Sequence, residues 1–260
     1  QYLPGSALVK PTSIQYDNVC AGCNVPEEKF TYDAAGRVLT AIDRRNVKTT
    51  YSYTTDGRGL LASMTEAAET GLMRTTTTTW HPTLPLPMQV VEPTKTTNYT
   101  YDSAGRNLTV SVSASGQTRT ITNTYNAAGR LLSVDGPRTD VNDITSYTYH
   151  PNGTVHTVTN PKGQVTTYNY YDAHGNPTSI TNSDGTTSTF SYDVRGRLLV
   201  KSHAGLVTTN TYDANGLLKT ITDPYGGVTT NLYDDAHRLI GKDLSNGEKL
   251  RYTLDNAGRT

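Results

Sequence analysis

Cysteine, phenylalanine and tryptophan are scarce in this chain, with two, two and one copies. No stretch approaches the roughly 18 to 20 consecutive apolar residues of a membrane helix, and no basic-then-apolar N-terminal segment reads as a signal peptide. Lys and Arg together number 23 and Asp and Glu also 23, and no local basic run occurs, so nucleic acid and membrane insertion by this segment are discounted as partners. A chain that starts at Gln1 instead of Met is expected to be a processed product or an excised segment of something longer, so localisation has to come from other evidence.

Catalytic patterns are absent too. There is no HExxH, GxSxG, Walker A or GxGxxG, and His81, His150, His156, His174, His203 and His237 are scattered with no recurring carboxylate partner. The repeated aspartates lack the calcium-loop pattern and read as turn caps. The expectation is therefore a non-enzyme with no cofactor and no metal. Cys20-Ala21-Gly22-Cys23 has no second CxxC or CxxH nearby and no βαβ surroundings, which leaves a local disulfide or inert thiols for Cys20 and Cys23 ahead of metal or redox chemistry. Three acceptor-like triplets, at Asn98, Asn107 and Asn152, are expected to arise by accident in a threonine-rich repeat.

What the chain does have is tyrosine, 18 copies, with abundant Thr and 22 Gly, a mixture that favours strands and tight turns. One motif recurs. It reads Tyr32-Asp33-x-x-Gly36-Arg37, Tyr101-Asp102-x-x-Gly105-Arg106, Tyr125-Asn126-x-x-Gly129-Arg130 and Tyr192-Asp193-x-x-Gly196-Arg197. Shorter copies are Tyr171-Asp172-x-x-Gly175, Tyr212-Asp213-x-x-Gly216 and Tyr233-Asp234, where His237 takes the glycine slot; Tyr149-His150, Leu254-Asp255, Tyr53 and Trp80 are further members. The later copies recur about every 21 residues, which marks a tandem array of one supersecondary unit.

Asp at the first turn position accepts backbone N–H groups, and Gly three residues on supplies the left-handed conformation of a tight hairpin. A second turn, such as Asn160-Pro161-Lys162-Gly163 or Asp223-Pro224-Tyr225-Gly226, closes each unit, so each unit is a β-hairpin. Before the first turn, aromatic residues two apart share a face, as in Tyr51/Tyr53, Tyr99/Tyr101, Tyr147/Tyr149, Tyr168/Tyr170, Phe190/Tyr192 and Tyr252/Leu254. Thr and Ser fill the alternate positions and should form a hydroxyl-rich opposite face.

The fold class expected is all-β, tandem antiparallel hairpins forming a long curled or spiralling sheet, because about ten two-stranded units exceed what an open twisted sheet sustains. Residues 1–30 are read as an irregular flank or cap and 31–260 as the array. Within it, 54–100 is degenerate, and its prolines predict an edge, a bulge or a protruding loop.

Y-D-x-x-G-R at this spacing, with D-P-x-G second turns, resembles the YD/RHS repeat family, which includes bacterial rearrangement-hotspot proteins, shell-forming subunits of insecticidal toxin complexes and teneurins. The resemblance implies a spiralling shell that encloses a C-terminal toxin polypeptide, secreted or at the cell surface, with the remaining repeats and that toxin as partners. No autoproteolytic core segment or variable toxin sequence is recognisable in this chain. The alternative is a surface-exposed module that binds carbohydrate or protein through its tyrosine rows.

Overall fold

The computed structural model describes residues 10–15 and 27–255. Cys20, Cys23 and the Gly258-Arg259 end of the last motif lie outside the described residues. Two compact units divide the chain, Gln1–Val141 and Asn142–Thr260. The first holds β1 (Ser13–Gln15), β2 (Glu27–Tyr32), β3 (Val38–Ile42), β4 (Lys48–Tyr53), β5 (Leu61–Glu66), β6 (Arg74–Trp80), β7 (Pro87–Glu92), β8 (Lys95–Tyr101), β9 (Asn107–Ala114), β10 (Gln117–Tyr125) and β11 (Leu131–Asp135). The second holds β12 (Thr145–Tyr149), β13 (Val155–Thr159), β14 (Val165–Tyr171), β15 (Pro177–Thr181), β16 (Thr187–Tyr192), β17 (Leu198–His203), β18 (Leu206–Tyr212), β19 (Leu218–Thr222), β20 (Val228–Tyr233), β21 (Leu239–Asp243) and β22 (Lys249–Arg251). Among the described residues there is no helix. Within each unit every strand pairs antiparallel with the next, the meander that short turns enforce.

Each hairpin carries the same irregularity. The register shifts at the motif aromatic, between Thr31 and Tyr32, Ser52 and Tyr53, Thr100 and Tyr101, Ser191 and Tyr192, and Thr211 and Tyr212, so one residue of the return strand is left without a partner. Such a β-bulge twists the ladder locally and takes a backbone carbonyl out of it.

Side chains then sort by the two-residue period of a strand. Hydroxyls pair across strands on one face at 2.6–2.8 Å, as in Thr31 with Thr40, Ser52 with Ser63, Thr100 with Thr109, Thr148 with Thr157 and Thr211 with Thr220. The motif tyrosines stand on the other. Ala68, at 7% exposure, is the one buried hydrophobic side chain among the described residues. Each unit is thus a single layer that lacks a closed core, and its stability rests on hairpin-to-hairpin contacts.

Two expectations change here, and a third is narrowed. The pair Tyr168/Tyr170 does not share a face: β14 contains an extra residue, Asn169, so Tyr168 faces Ile180, Tyr170 faces Ser179, and the ring that stacks with Tyr168, at 6.3 Å and 15°, is Tyr171. Tyr252 and Leu254 fall beyond the last strand, β22. Of the edge, bulge or loop expected at 54–100, the edge is excluded, because β5, β6, β7 and β8 pair on both sides, while a bulge at Trp80 and a loop after it are present. Its prolines sit where no ladder N–H is needed: Pro82 and Pro85 in the loop after Trp80, Pro87 opposite Trp80 and next to the bulged Met88, and Pro93 in the β7–β8 turn. The first repeat hairpin begins with β2 at Glu27.

Candidate functional surface: the motif turn, the clamp and a rebuilt hairpin

The motif aspartate builds its turn from two oxygens. Asp33 Oδ1 accepts the N–H groups of Ala35 and Arg37 at 3.0 and 2.8 Å, and Oδ2 accepts Arg37 Nε at 2.6 Å. Asp102, Asp193 and Asp234 repeat the set with Arg106, Arg197 and Arg238. Asp172 uses Asn176 in place of the arginine, and Asp213 accepts Leu217 N–H. Gly36, Gly105, Gly129, Gly175, Gly196 and Gly216 all have φ between +75° and +89°, and His237 reaches +63° in the same slot. The backbone N–H of Arg37, ahead of its guanidinium, holds the Asp33 carboxyl below its usual range, and Asp102 and Asp193 are lowered in the same way by Arg106 and Arg197. Asp56 is brought to about 2, first by the Arg58 side chain.

The tyrosine of each hairpin reaches back to the hairpin before it. The hydroxyls of Tyr53, Tyr101 and Tyr125 donate to the carbonyls of Val38, Pro87 and Asn107, and those of Tyr171, Tyr192, Tyr212 and Tyr233 donate to Val155, Pro177, Leu198 and Leu218, all at 2.7–3.0 Å. Every acceptor is the residue opposite the preceding aromatic, the one whose carbonyl the bulge has freed. A buried carbonyl without a partner costs free energy, so bulge and hydroxyl solve each other's problem. Asn123, Asn210 and Asn231, two residues before their tyrosines, donate to the same carbonyls. Burial raises the pKa of Tyr53, Tyr101, Tyr171 and Tyr192, which keeps the donating proton in place.

The motif arginine completes the clamp in the forward direction. Arg37, Arg106 and Arg197 lie over the rings of Tyr53, Tyr125 and Tyr212 at 4.6, 5.1 and 4.4 Å, a cation–π contact with the next repeat. Their guanidinium groups also press on glycines of that repeat: a Cβ added at Gly129 would lie 2.9 Å from Arg106, and one at Gly216 would lie 3.0 Å from Arg197. Arg130 follows Gly129 in the turn capped by Asn126, whose Oδ1 accepts its N–H.

Other residues play these parts where the motif is lost. Trp80 Nε1 donates to Leu61 O at 2.8 Å as a tyrosine hydroxyl would, and His81 Nδ1 accepts the N–H groups of Thr83 and Leu84 as an aspartate would. In the described part of the N-terminal flank, Pro11 O accepts Tyr32 O–H and Lys10 lies 5.7 Å over the Tyr32 ring, while β1 pairs with β2.

One hairpin is rebuilt. His150 stands in the aspartate slot, its Nε2 donates to Tyr168 O at 2.7 Å, and its ring lies 4.6 Å from His156. The inserted Asn169 donates to Ser179 Oγ and Thr181 Oγ1, which pushes Tyr170 into a position where most other repeats carry Thr or Ser and the Tyr233 repeat carries Leu232; Tyr170 is 70% exposed. The rim of this region is an open groove of about 360 Å³.

The fold has known counterparts. The teneurin YD-shell family model matches residues 92–259, more than half of the chain. The chain belongs to the teneurin YD-shell family. Crystal structures of TcdB2-TccC3 without the hypervariable C-terminal region and of TcdB2-TccC3-Cdc42 are similar at 17% identity, with TM-scores of 0.70 and 0.69. Both alignments cover 83% of this chain and 13% of the other. The Photorhabdus luminescens Tc holotoxin pore aligns with a TM-score of 0.56 at 16% identity, covering 88% of this chain and 16% of that one. At such identities the likeness is one of fold, and this YD-shell segment spans a small fraction of the chains it resembles. No curated protein matches it significantly.

Tyr, Asp, Gly and Arg of the YD motif, picked out as repeat residues, are thus brought together in pairs of neighbouring hairpins. The clamp itself escaped the sequence reading, since neither the forward reach of Arg nor the backward reach of Tyr is visible within one motif. The 22-residue step from Tyr149 to Tyr171 was the available signal for the insertion at Asn169. Of the three acceptor-like asparagines, Asn98 and Asn107 are half-buried in hydrogen bonds and Asn152 is exposed at a turn.

Proposed function

We propose that this chain is a stretch of wall in an RHS-type shell that encloses and shields a toxin polypeptide within a larger secreted or surface protein. The observation that carries the reading is the clamp: each hairpin supplies the freed carbonyl that the next hairpin's tyrosine needs, so the sheet propagates by one repeated contact. The hairpins from Glu27 onward then act as array, the residues before them as its flank, and the motif residues serve structure rather than chemistry. Shielding is steric and requires no catalytic group. Family membership and the fold shared with TcdB2-TccC3 support this reading. Small-angle X-ray scattering of the monodisperse chain tests it: a hollow, wound profile is expected, and an extended rod would sink enclosure by this segment. In the full-length protein, the polypeptide that the shell holds should resist protease until the wall is unfolded. A binding role is favoured by one observation, the rebuilt hairpin.

A further inference from the structure

We propose that the groove beside Tyr170 is a binding site for a neutral saccharide, a role that goes beyond wall-building. Three departures from the repeat meet at this one place: His150 in the aspartate slot, the inserted Asn169, and Tyr170 in a hydroxyl position. Each is a local cost, or at best neutral, for the sheet. The insertion adds a second bulge to a hairpin whose neighbours have one, and Tyr170 places a ring in solvent where Thr211 of a regular repeat makes a 2.6 Å hydroxyl pair. Departures that coincide in an otherwise regular array mark a site, and bulges commonly re-aim a side chain at one.

The chemistry of the groove narrows the ligand. Tyr170 offers an exposed ring face on which the C–H face of a pyranose stacks. Around it, hydrogen-bonding groups are left over among the described residues. Asn152 spends its Oδ1 on the Thr154 N–H and hydroxyl and keeps its amide N–H groups, whereas Asn169 spends its N–H groups and keeps its carbonyl oxygen. The Tyr170 hydroxyl can both donate and accept. Donors and acceptors beside an aromatic face suit the vicinal hydroxyls of a sugar. Other ligand classes fit less well. No Lys or Arg lines the groove to hold an anion. Asp172 is engaged by Asn176 and the His174 N–H, so it is a poor counter-charge for a cation. β14 pairs with both β13 and β15, which leaves no edge for an added peptide strand.

The test screens the intact chain against immobilised neutral glucans, mannans and chitooligosaccharides, then titrates any ligand found by calorimetry. Saturable binding is expected. Tyr170→Thr, which restores the residue type commonest at this slot, should weaken it about tenfold, and deletion of Asn169, which removes the second bulge, should abolish it. Neither change should lower the urea midpoint, so the loss would not reflect unfolding. Tyr225→Ala, at an 88% exposed tyrosine in a different turn, should leave binding intact. No binding across the panel overturns the proposal, as does binding that survives Tyr170→Thr or that is lost equally in Tyr225→Ala. The scattering experiment judges the wall independently of either result.

Discussion

The hairpins of Tyr192, Tyr212 and Tyr233 and the hairpin of Trp80 make one contact from different residues. In the first three, phenol hydroxyls donate to the carbonyls of Pro177, Leu198 and Leu218; in the last, an indole N–H donates to Leu61 O at the same range of distance. Asp193 caps its turn with a carboxylate, while His81 does so with an imidazole nitrogen over a longer loop. The comparison teaches that the array conserves a geometry, a freed carbonyl facing a donor on the next hairpin, and is tolerant of the group that supplies it. Where geometry itself changes, at Asn169, the sheet gains an exposed aromatic ring.

The largest expected effect separates glycines that share a backbone conformation. Gly129 and Gly163 have φ of +78° and +77°, but only Gly129 has the Arg106 guanidinium where a Cβ would go. Gly129→Ala should cost ~2–4 kcal/mol and Gly163→Ala ~1–2 kcal/mol in urea unfolding, the first combining backbone strain with a displaced clamp. Equal losses would remove the arginine from the account.

Next comes the donor. Tyr53→Phe and Trp80→Phe should each destabilise by about 1–2 kcal/mol, since each leaves a carbonyl without its partner. A loss at Tyr53 with none at Trp80 would show that the degenerate stretch is held in another way.

Acid should separate turns by their caps. A carboxyl lowered in the folded chain contributes stability above its ordinary value of 3.8, and that stability is lost as pH falls through the lowered value, for Asp56 down to about 2. The amide protons of Arg37, Arg106 and Arg197 should therefore shift in NMR spectra below pH 3.8, while those of Arg130 and Gln164, which hydrogen-bond to the Asn126 and Asn160 amides, stay put. The smallest effect is a gain. His237→Gly, which relieves a positive φ outside glycine, should stabilise by ~0.5–1 kcal/mol.

Much of the fold was legible because hairpins are local. Asp102 and Gly105 lie within one turn, so their spacing alone identified it, and the Thr100/Tyr101 alternation assigned opposite faces without knowledge of any partner strand. Prediction failed where one inserted residue reversed the alternation, at Tyr168 and Tyr170, because a two-residue period carries no record of a bulge. Proline at 54–100 left an edge, a bulge and a loop open, and only the strand pairing chose among them: Pro82 and Pro85 lie in a loop, and Pro87 faces Trp80 beside the bulged Met88.

By itself, then, the sequence determined an array of β-hairpins, its period and its turn chemistry, since these depend on residues within a few positions of one another. Tertiary structure alone decided that Tyr125 reaches back to Asn107, that Arg106 reaches forward to Tyr125 and Gly129, and that Tyr170 meets solvent. Those contacts join residues about a repeat apart, and only the register of paired strands brings them within reach.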